Sequence, residues 1–241
     1  MFDKRLKYSY AEQRMENIKK LVILLWISAF FIAHLLLTSF IVTTREMRNA
    51  SMQPAISPGE RILFLSFGLK ELFPEFPLLR TLPVKRGDVV LITIKDEPGR
   101  NIFARFAEKI CRFVTLGMAG FGKSSERHFL KRVIALPGDE VSMTKFVMRV
   151  KPADDMYTYT EFELSKDLYP ITIPETPPLW DEKIPFSGNM EPMTLGSGSY
   201  FVLSDDRANT NDSRTWGQIP AKYINAKALF RYWPLIKFGK I

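Results

Sequence analysis

Histidine and cysteine are scarce in this chain, so the side chains that could perform chemistry are a serine and a lysine. The 241 residues include two histidines and one cysteine. A single cysteine, Cys111, forms no intrachain disulfide and supplies no zinc site built on several cysteines. We therefore expect neither a metal nor a cofactor. The candidate nucleophile is Ser51, in the segment 49–54 (NASMQP), which begins five residues after an uninterrupted apolar run has ended.

A catalytic serine needs a neighbouring base, and the sequence offers two kinds. A Ser-His-Asp arrangement would depend on His128, because His34 lies inside the apolar run. A lysine can also take the hydroxyl proton, provided that burial keeps its amine neutral. An ordinary lysine has a pKa of about 10.4 and is charged at neutral pH, so the working base must lie in an apolar strand.

Lys131 meets this requirement. It lies in the segment 129–139 (FLKRVIALPGD), with two large apolar residues before it and three after Arg132. A Lys-Arg pair in a strand is also typical of one solvated charge beside one structural ion pair. The spacing alone does not decide between the two interpretations.

The element that must position Ser51 is the apolar run before it, residues 21–44. These 24 residues contain no Asp, Glu, Lys or Arg, and as a helix they reach about 36 Å at about 1.5 Å each, enough to cross a hydrocarbon core. Residues 1–20 hold six Lys or Arg, which predicts a cytoplasmic N-terminus. A cleaved signal sequence is the alternative, but its apolar region usually spans about 7 to 15 residues before a small-x-small site. We interpret 21–44 as an uncleaved anchor.

The remaining residues, 45–241, are enough for one folded domain outside the membrane. The net charge of +8 favours an anionic partner. Because the chain is expected to be membrane-bound, we predict anionic lipid headgroups rather than nucleic acid.

The sequence after residue 45 is typical of a mainly β protein. Turn sequences rich in Gly, Pro and Asp (SPGE, KRGD, LPGD and GSGS) lie beside runs rich in Val, Ile, Phe and Tyr. This pattern indicates strands joined by turns. The predicted strands are 61–65, 88–94, 129–135, 140–150, 200–203 and 226–232.

Two segments depart from this pattern. Residues 151–193 contain seven prolines and are predicted to form an irregular inserted subdomain with short hairpins. In 102–114, apolar residues recur at helical spacing and basic residues fall mainly off that face. This predicts an amphipathic helix within an extension at 97–128. Such a helix lies either on a membrane surface or against its own domain.

Four sequence boxes in order behind the anchor make the chain resemble the type I signal peptidases, the membrane-anchored leader peptidases of the Ser-Lys class. Residues 51–54 match the Ser-Met-x-Pro box, and 86–90 match the Arg-Gly-Asp strand box. Residues 131–139 match the Lys-Arg-Val-x-Gly-Leu-Pro-Gly-Asp box, with Ala135 in place of the usual glycine. Residues 204–214 match the last box, usually Gly-Asp-Asn-Arg-x-Asn-Ser-x-Asp-Ser-Arg. The resemblance covers nearly the whole chain.

The resemblance implies a serine endopeptidase in which Ser51 is the nucleophile and Lys131 the general base. The fold would be a single N-terminal transmembrane helix followed by a β-rich catalytic domain whose apolar surface meets the membrane. The reaction would be amide hydrolysis through an acyl-enzyme.

By box position, other residues would support this dyad. Thr210 would replace the family's serine that hydrogen-bonds the lysine amine, and Asp212 with Arg214 would form a supporting ion pair. Asp205 would help to hold the site in place.

Asn49 departs from the family, in which many relatives carry Ser, Thr or Gly two residues before the nucleophile. Where that residue has a hydroxyl, it helps the backbone amide of the serine to bind the oxyanion. The side-chain amide of Asn49 is also a donor and could fill this role, which is typically worth about 3 to 4 kcal/mol. The alternative is that Asn49 caps a turn. Ser204 and Asp206 are further departures, replacing the usual Gly and Asn.

The family's preference for small side chains one and three residues before the cut predicts two shallow apolar pockets. A pocket that closes on a methyl group rejects larger groups by overlap. Ungapped extension of the serine and lysine boxes gives their walls as Met47, Met52, Ile56, Phe129 and Leu130.

We therefore predict a protease that removes signal peptides from exported preproteins on the outer face of the cytoplasmic membrane, with the N-terminus in the cytoplasm. Its partners would be preprotein signal peptides, anionic lipids and the export machinery. The alternatives are a dedicated processing peptidase of the conjugation-system type and a catalytically silent membrane scaffold with the same fold. Soluble self-cleaving repressors share the dyad but have no such anchor.

Overall fold

The computed structural model describes residues 10–36, 42–67, 84–95, 126–175 and 188–241. Within these ranges the chain is mainly β, as predicted, with one long helix at its N-terminal end.

The long helix, α1, spans Tyr10–Leu36. Its stretch Gln13–His34 is long and apolar enough to cross a membrane, and large apolar side chains such as Trp26 and Phe30 are exposed. A long apolar helix with so little buried surface in the described part of the chain is typical of one that lies in lipid. The helix starts before the predicted span because residues 10–20 are mostly good helix formers.

The predicted span also reached too far at its C-terminal end. Residues 42–44 are not helical but open the first strand, where they pair with 65–63. All three, Val42, Thr43 and Thr44, are β-branched and prefer extended backbone. Residues 37–41 lie outside the described part of the chain.

The strands follow in chain order. They are β1 Val42–Glu46, β2 Arg61–Ser66, β3 Val89–Lys95, β4 Glu126–Ala135, β5 Glu140–Thr144, β6 Val147–Lys151, β7 Tyr159–Thr160, β8 Met190–Thr194, β9 Ser199–Leu203, β10 Ile219–Pro220, β11 Ile224–Trp233 and β12 Gly239–Lys240. Two one-turn helices, α2 Glu161–Leu164 and α3 Ser213–Trp216, and two 3-10 turns, Ala221–Tyr223 and Leu235–Lys237, lie between them.

These strands form two sheets. The larger has the order β1-β2-β11-β3-β4-β9-β10, with β12 also paired to β11, and the smaller has the order β7-β6-β5-β8. In the larger sheet β4 pairs with β3 from Glu126 to Arg132, whereas its pairing with β9 begins only at Arg132. The larger sheet is strongly curved. Three strands, β2, β11 and β3, separate β1 from β4 in the sheet order, yet Arg45 of β1 and His128 of β4 hydrogen-bond at 3.2 Å.

One sequence prediction needs correction in the smaller sheet. Residues 140–150 are not one strand but the hairpin β5–β6, which turns at Lys145 and Phe146 with positive φ angles of 50° and 66°. The turn lacks the usual Gly or Asn and is instead held from outside: Phe146 N donates to Gly188 O, and Lys145 N donates to Asn189 Oδ1. Of the predicted irregular subdomain 151–193, the described parts contribute to this sheet the last residue of β6, the two-residue strand β7 and residues 190–193 of β8.

The predicted amphipathic helix at 102–114 lies outside the described residues, as does most of the 97–128 extension. Residues 126–128 of that extension belong to β4.

Three buried clusters form the core. One, which we call the serine-side cluster, joins the Ser51 loop to the large sheet and contains Met47, Met52, Ile56, Ile62, Phe64, Val89, Leu91, Leu130, Ala226 and Ala228. A second packs against the opposite face of β3 and β4 and includes Val90, Ile92 and Val133. The third joins β4 and β9 to the smaller sheet. The strand that carries Lys131 is therefore covered on both faces.

Candidate active site

Strand β4 buries the Lys131 side chain completely. Lys131 lies opposite Val90 of β3, on the same face as Phe129, and is 1% exposed. Its amine lies 5.8 Å from the centre of the Trp216 ring. Phe129 packs edge-on against the same indole, with 5.0 Å between ring centres. The Trp216 ring, supported by Phe129, therefore takes the place of water near the lysine amine.

This burial changes the acid–base behaviour of the amine. Loss of solvation lowers the pKa of Lys131 from 10.5 to about 8, against the negative charge of Asp212, which raises it. The positive charge of Arg214 adds to the decrease. With a pKa of about 8, about a tenth of the amines are neutral at pH 7, compared with fewer than about one in a thousand for an ordinary lysine. Lys131 is thus suited to accept a proton near neutral pH.

The hydroxyl group that contacts this amine is that of Ser204. Lys131 Nζ donates to Ser204 Oγ at 2.7 Å, and both residues are buried. The sequence predicts Thr210 in this role, but in the structure the amine bonds to Ser204 instead. Thr210 directs its backbone carbonyl into the loop, where it accepts hydrogen bonds from Asp212 N and Thr215 Oγ1.

Asp212 and Arg214 form a buried ion pair at 2.8 Å. Burial alone would raise the pKa of Asp212, but the hydrogen bonds and charge of Arg214 outweigh this and leave it below its ordinary value. Asp212 Oδ2 also accepts from Ser204 N at 3.0 Å. Arg214 further donates to the carbonyl oxygens of Arg207 and Asn209. The pair therefore fixes both ends of the loop that leads from β9 to α3.

Asp205 is held by the residue next to the lysine. Arg132 donates to both its carboxylate oxygens, at 2.7 and 2.6 Å, and the Arg132 guanidinium stacks 3.9 Å from the centre of the Tyr169 ring. Burial raises the pKa of Asp205, and the hydrogen bonds from Arg132 oppose that increase. A second buried pair, Arg207 with Glu161, continues this network.

No sequence pattern singles out Glu161 and Tyr169, which belong to the segment predicted to be irregular. Glu161 is buried and accepts hydrogen bonds from Met148 N, Tyr169 Oη and Arg207 Nη2. These contacts attach the smaller sheet to the loop after β9. From sequence alone, a buried glutamate such as Glu161 cannot be distinguished from a solvent-exposed one.

Ser51 is buried at the start of the loop between β1 and β2, with 2% exposure. Its hydroxyl donates to Asn49 Oδ1 at 2.9 Å, and its backbone N–H donates to the same oxygen at 3.3 Å. This is the geometry of an Asx turn. Asn49 thus presents its Oδ1 acceptor to Ser51, which is the turn cap given above as the alternative; donation from its side-chain nitrogen to an oxyanion stays a prediction.

The segment 204–206 connects the serine and the lysine. Ser204 accepts from the Lys131 amine, Asp205 binds Arg132, and the backbone N–H of Asp206 donates to Ser51 O at 3.2 Å. The first and third of these contacts lie two residues apart on one loop. The structure therefore brings the surroundings of both groups together, and in this state each hydrogen-bonds to a different partner: Ser51 to Asn49, and Lys131 to Ser204.

Four of the five predicted pocket residues lie together. Met47, Met52, Ile56 and Leu130 all belong to the serine-side cluster, but Met52 and Ile56 have no exposed surface. Met52 and Ile56 therefore support the site from within the core and do not line an open surface. Phe129 is not in this cluster, because neighbouring strand residues point to opposite faces. It packs on Trp216 beside the lysine, and its part in a pocket stays a prediction.

Comparison with known proteins adds to this geometry. The family described as "Signal peptidase, peptidase S26" matches residues 18–233. Thylakoidal processing peptidase 1 of Arabidopsis thaliana is 32% identical over 200 residues, which cover 83% of this chain and 44% of that protein. Signal peptidase IB of Staphylococcus aureus is 27% identical over 221 residues, 90% of this chain and 92% of the other. Probable signal peptidase I-1 of Synechocystis is 24% identical over 226 residues, 94% of this chain and 86% of the other. The chain thus spans less than half of the plant relative but most of both bacterial ones.

Proposed function

The chain belongs to the signal peptidase family, peptidase S26, and from this premise we propose that it is a membrane-anchored serine endopeptidase that cuts signal peptides from exported preproteins with a Ser51–Lys131 dyad. The observation that carries the proposal is the buried Lys131, whose pKa of about 8 suits a general base, held by the same loop that binds Ser51.

The proposed reaction needs one base and one nucleophile. The neutral amine of Lys131 takes the proton of the Ser51 hydroxyl as the Oγ atom attacks the scissile carbonyl carbon. The protonated amine then gives this proton to the leaving nitrogen, which releases the mature protein and leaves the signal peptide as an ester on Ser51. Water hydrolyses the ester, with Lys131 acting again as the base.

Two groups must reorient when substrate binds for this reaction to start. The Ser51 hydroxyl has to leave Asn49 Oδ1, and the amine has to direct its lone pair at Ser51. Catalytic hydrogen bonds are often absent or long before substrate binds and shorten in the complex. The backbone N–H of Ser51, now at 3.3 Å from Asn49 Oδ1, would be released by the same change and could then donate to the oxyanion.

The sheet offers a place for an extended substrate beside these groups. β1 ends the larger sheet, and in the described part of the chain β4 has a strand on one side only before Arg132. The Arg45–His128 contact shows that β1 and β4 approach each other. A peptide could add to these edges as a further strand. Met47 and Leu130, which retain 6% and 7% exposure, would then limit the side chains before the cut to small ones.

The helix α1 supports anchoring of the enzyme in the cytoplasmic membrane. The six basic residues before residue 21 favour a cytoplasmic N-terminus, which would put residues 45–241 on the outer face as the catalytic domain. There the enzyme would meet preproteins as they leave the export machinery, and its net positive charge would favour anionic headgroups.

Cleavage of a defined preprotein tests the proposal. Detergent-solubilised enzyme is incubated with a preprotein bearing an Ala-x-Ala site, and the new N-terminus is sequenced. We expect a single cut after the second alanine, and a loss of at least about 1,000-fold in Ser51→Ala and in Lys131→Ala, because the two act as a unit. Ser142→Ala, a change in β5, is the matched control. Cleavage by the Ser51→Ala protein at a rate near that of the control would show that the nucleophile is another residue.

Substrate variants test the pockets and the breadth of the activity. Replacing the alanine before the cut by leucine should stop processing, and equal rates for alanine and leucine would refute the proposed pockets. A panel of unrelated preproteins separates a general signal peptidase from a dedicated one, which would cut one or a few of them. A folded protein that cuts none would be the silent scaffold.

A further inference from the structure

We propose that Ser204 is the positioning residue of the general base: its hydroxyl holds the Lys131 amine in the orientation that faces the nucleophile. This assignment rests on the proposed dyad and adds to it a residue at a position where the family usually has glycine, which has no side chain to offer.

Sheet register places Ser204 where it can act on the lysine. Leu203, the last residue of β9, pairs with Arg132 of β4. Because the strands are antiparallel, the next residue of the first strand lies opposite the preceding residue of the second, which is Lys131. The 2.7 Å contact between Lys131 Nζ and Ser204 Oγ therefore follows from the backbone pairing and not from a mobile loop.

The hydroxyl is also fixed at its own backbone. Ser204 N donates to Asp212 Oδ2 at 3.0 Å, and neither residue has exposed surface. Asp212 in turn is bound by Arg214. The acceptor that Lys131 meets is thus built into a rigid, buried arrangement, which is what the placement of a catalytic group to within about 0.5 Å requires.

A neutral lysine amine has two N–H donors and one lone pair. If one N–H is bound to Ser204, fewer rotations remain, and the lone pair can be directed at the serine proton. A free lysine side chain carries about 2 kcal/mol of rotational entropy, so fixing its end in advance favours the proton transfer. The charged groups that act on the pKa of the amine are Asp212, Arg214, Asp205 and Asp206, all on the segment after β9, and none is altered by a change at Ser204.

In the observed arrangement the amine bonds to Ser204 and not to Thr210. The described contacts of Thr210 lie within the loop six residues after Ser204, where its carbonyl oxygen accepts from Asp212 N and Thr215 Oγ1. In this chain Ser204 therefore supplies the hydroxyl group that was expected from Thr210.

The pH dependence of peptide cleavage tests this inference. kcat and KM are measured from pH 6 to 10 for Ser204→Ala, Thr210→Ala and the control Ser142→Ala. Ser204→Ala should lower kcat about 10- to 100-fold, a part of the typical contribution of a general base, with KM changed less than about 2-fold. Because an acceptor favours the charged amine, its loss should also move the acid limb of the kcat/KM profile to lower pH.

Two further measurements keep the outcomes distinct. Ser204→Cys retains the volume of the side chain with a weaker acceptor and should show a smaller loss in the same direction, which also covers the case in which Ser204→Ala does not fold. A purely structural role would lower the melting temperature without moving the acid limb. Wild-type kcat and pH dependence in Ser204→Ala, or both effects in Thr210→Ala instead, would overturn the inference. If Ser51→Ala or Lys131→Ala remain active, the dyad itself fails.

Discussion

Replacing Lys131 by methionine should abolish cleavage and yet stabilise the protein at neutral pH. Methionine has a similar length and no charge, so it fits the same buried space beside Trp216. A lysine that is buried as the partner of an acid would behave differently: its replacement by methionine would leave that acid unpaired and destabilise the protein.

The magnitude follows from the pKa of Lys131, which falls from 10.5 to about 8 on folding. Each pKa unit corresponds to about 1.4 kcal/mol, so keeping the charged amine buried costs the folded state about 3 kcal/mol at pH 7. Methionine removes this cost but leaves Ser204 Oγ without its donor, a loss of about 1 kcal/mol. We expect a net gain of about 2 kcal/mol in the free energy of unfolding.

The gain should shrink as the pH rises. Between pH 8 and 10.5 the folded wild type has lost the proton from Lys131 whereas the unfolded chain still binds it, so the stability of the wild type increases with pH in this window. At pH 9.5 the remaining cost is about 1 kcal/mol, and the advantage of methionine should nearly vanish.

Urea unfolding of the full chain in detergent, followed by tryptophan fluorescence at pH 7 and 9.5, measures both effects. Lys151→Met, a change at a half-exposed strand position, is the matched control and should change the stability by less than about 0.5 kcal/mol at either pH. A Lys131→Met protein that is less stable than the wild type at pH 7, or a gain that does not depend on pH, would refute the reasoning.

Three further outcomes are expected. The kcat/KM for peptide cleavage should rise about tenfold per pH unit below 8 and level off above it, since the base has a pKa of about 8; a midpoint near pH 10 would contradict this. Arg132→Met should cost about 3 to 5 kcal/mol in urea unfolding, because buried Asp205 loses its partner; a cost below about 1 kcal/mol would count against that pairing. Gly87→Ala should destabilise more than Gly59→Ala: both have φ near +85°, but only at Gly87 would the new Cβ lie 2.2 Å from Ser165 Oγ, and equal melting temperatures would disprove the clash.

Local patterns were enough to predict most strands of the larger sheet. The segments 61–65, 88–94 and 226–232 differ from the observed β2, β3 and β11 by at most two residues at either end. The signals that predict them, β-branched and aromatic runs beside turn residues, depend only on the local sequence. The β5–β6 hairpin was missed for the opposite reason. Its turn residues, Lys145 and Phe146, carry no turn signal, and the contacts that hold them come from residues more than 40 positions away.

The candidate site shows the same division. The types and order of Ser51 and Lys131 were visible in the sequence, whereas the hydrogen-bond partner of the amine depends on which residue the β4–β9 register places opposite it. The sequence could have separated Phe129 from Leu130, since neighbouring strand residues face opposite sides. The orientation of the Asn49 amide could not be predicted from the sequence, because the side chain can present either a donor or an acceptor to Ser51.

The central claim is that Ser51 forms an acyl-enzyme with Lys131 as its base, and trapping that intermediate tests it most directly. An activated ester of an Ala-x-Ala peptide acylates a nucleophile faster than water removes the acyl group, so the adduct accumulates and survives an acid quench. Mass spectrometry of the digested protein should find the acyl group on the peptide that contains Ser51, at a rate that falls steeply in Lys131→Met, and no such adduct in Ser51→Ala. An adduct on another residue, or one that forms equally in Ser51→Ala, would contradict the account.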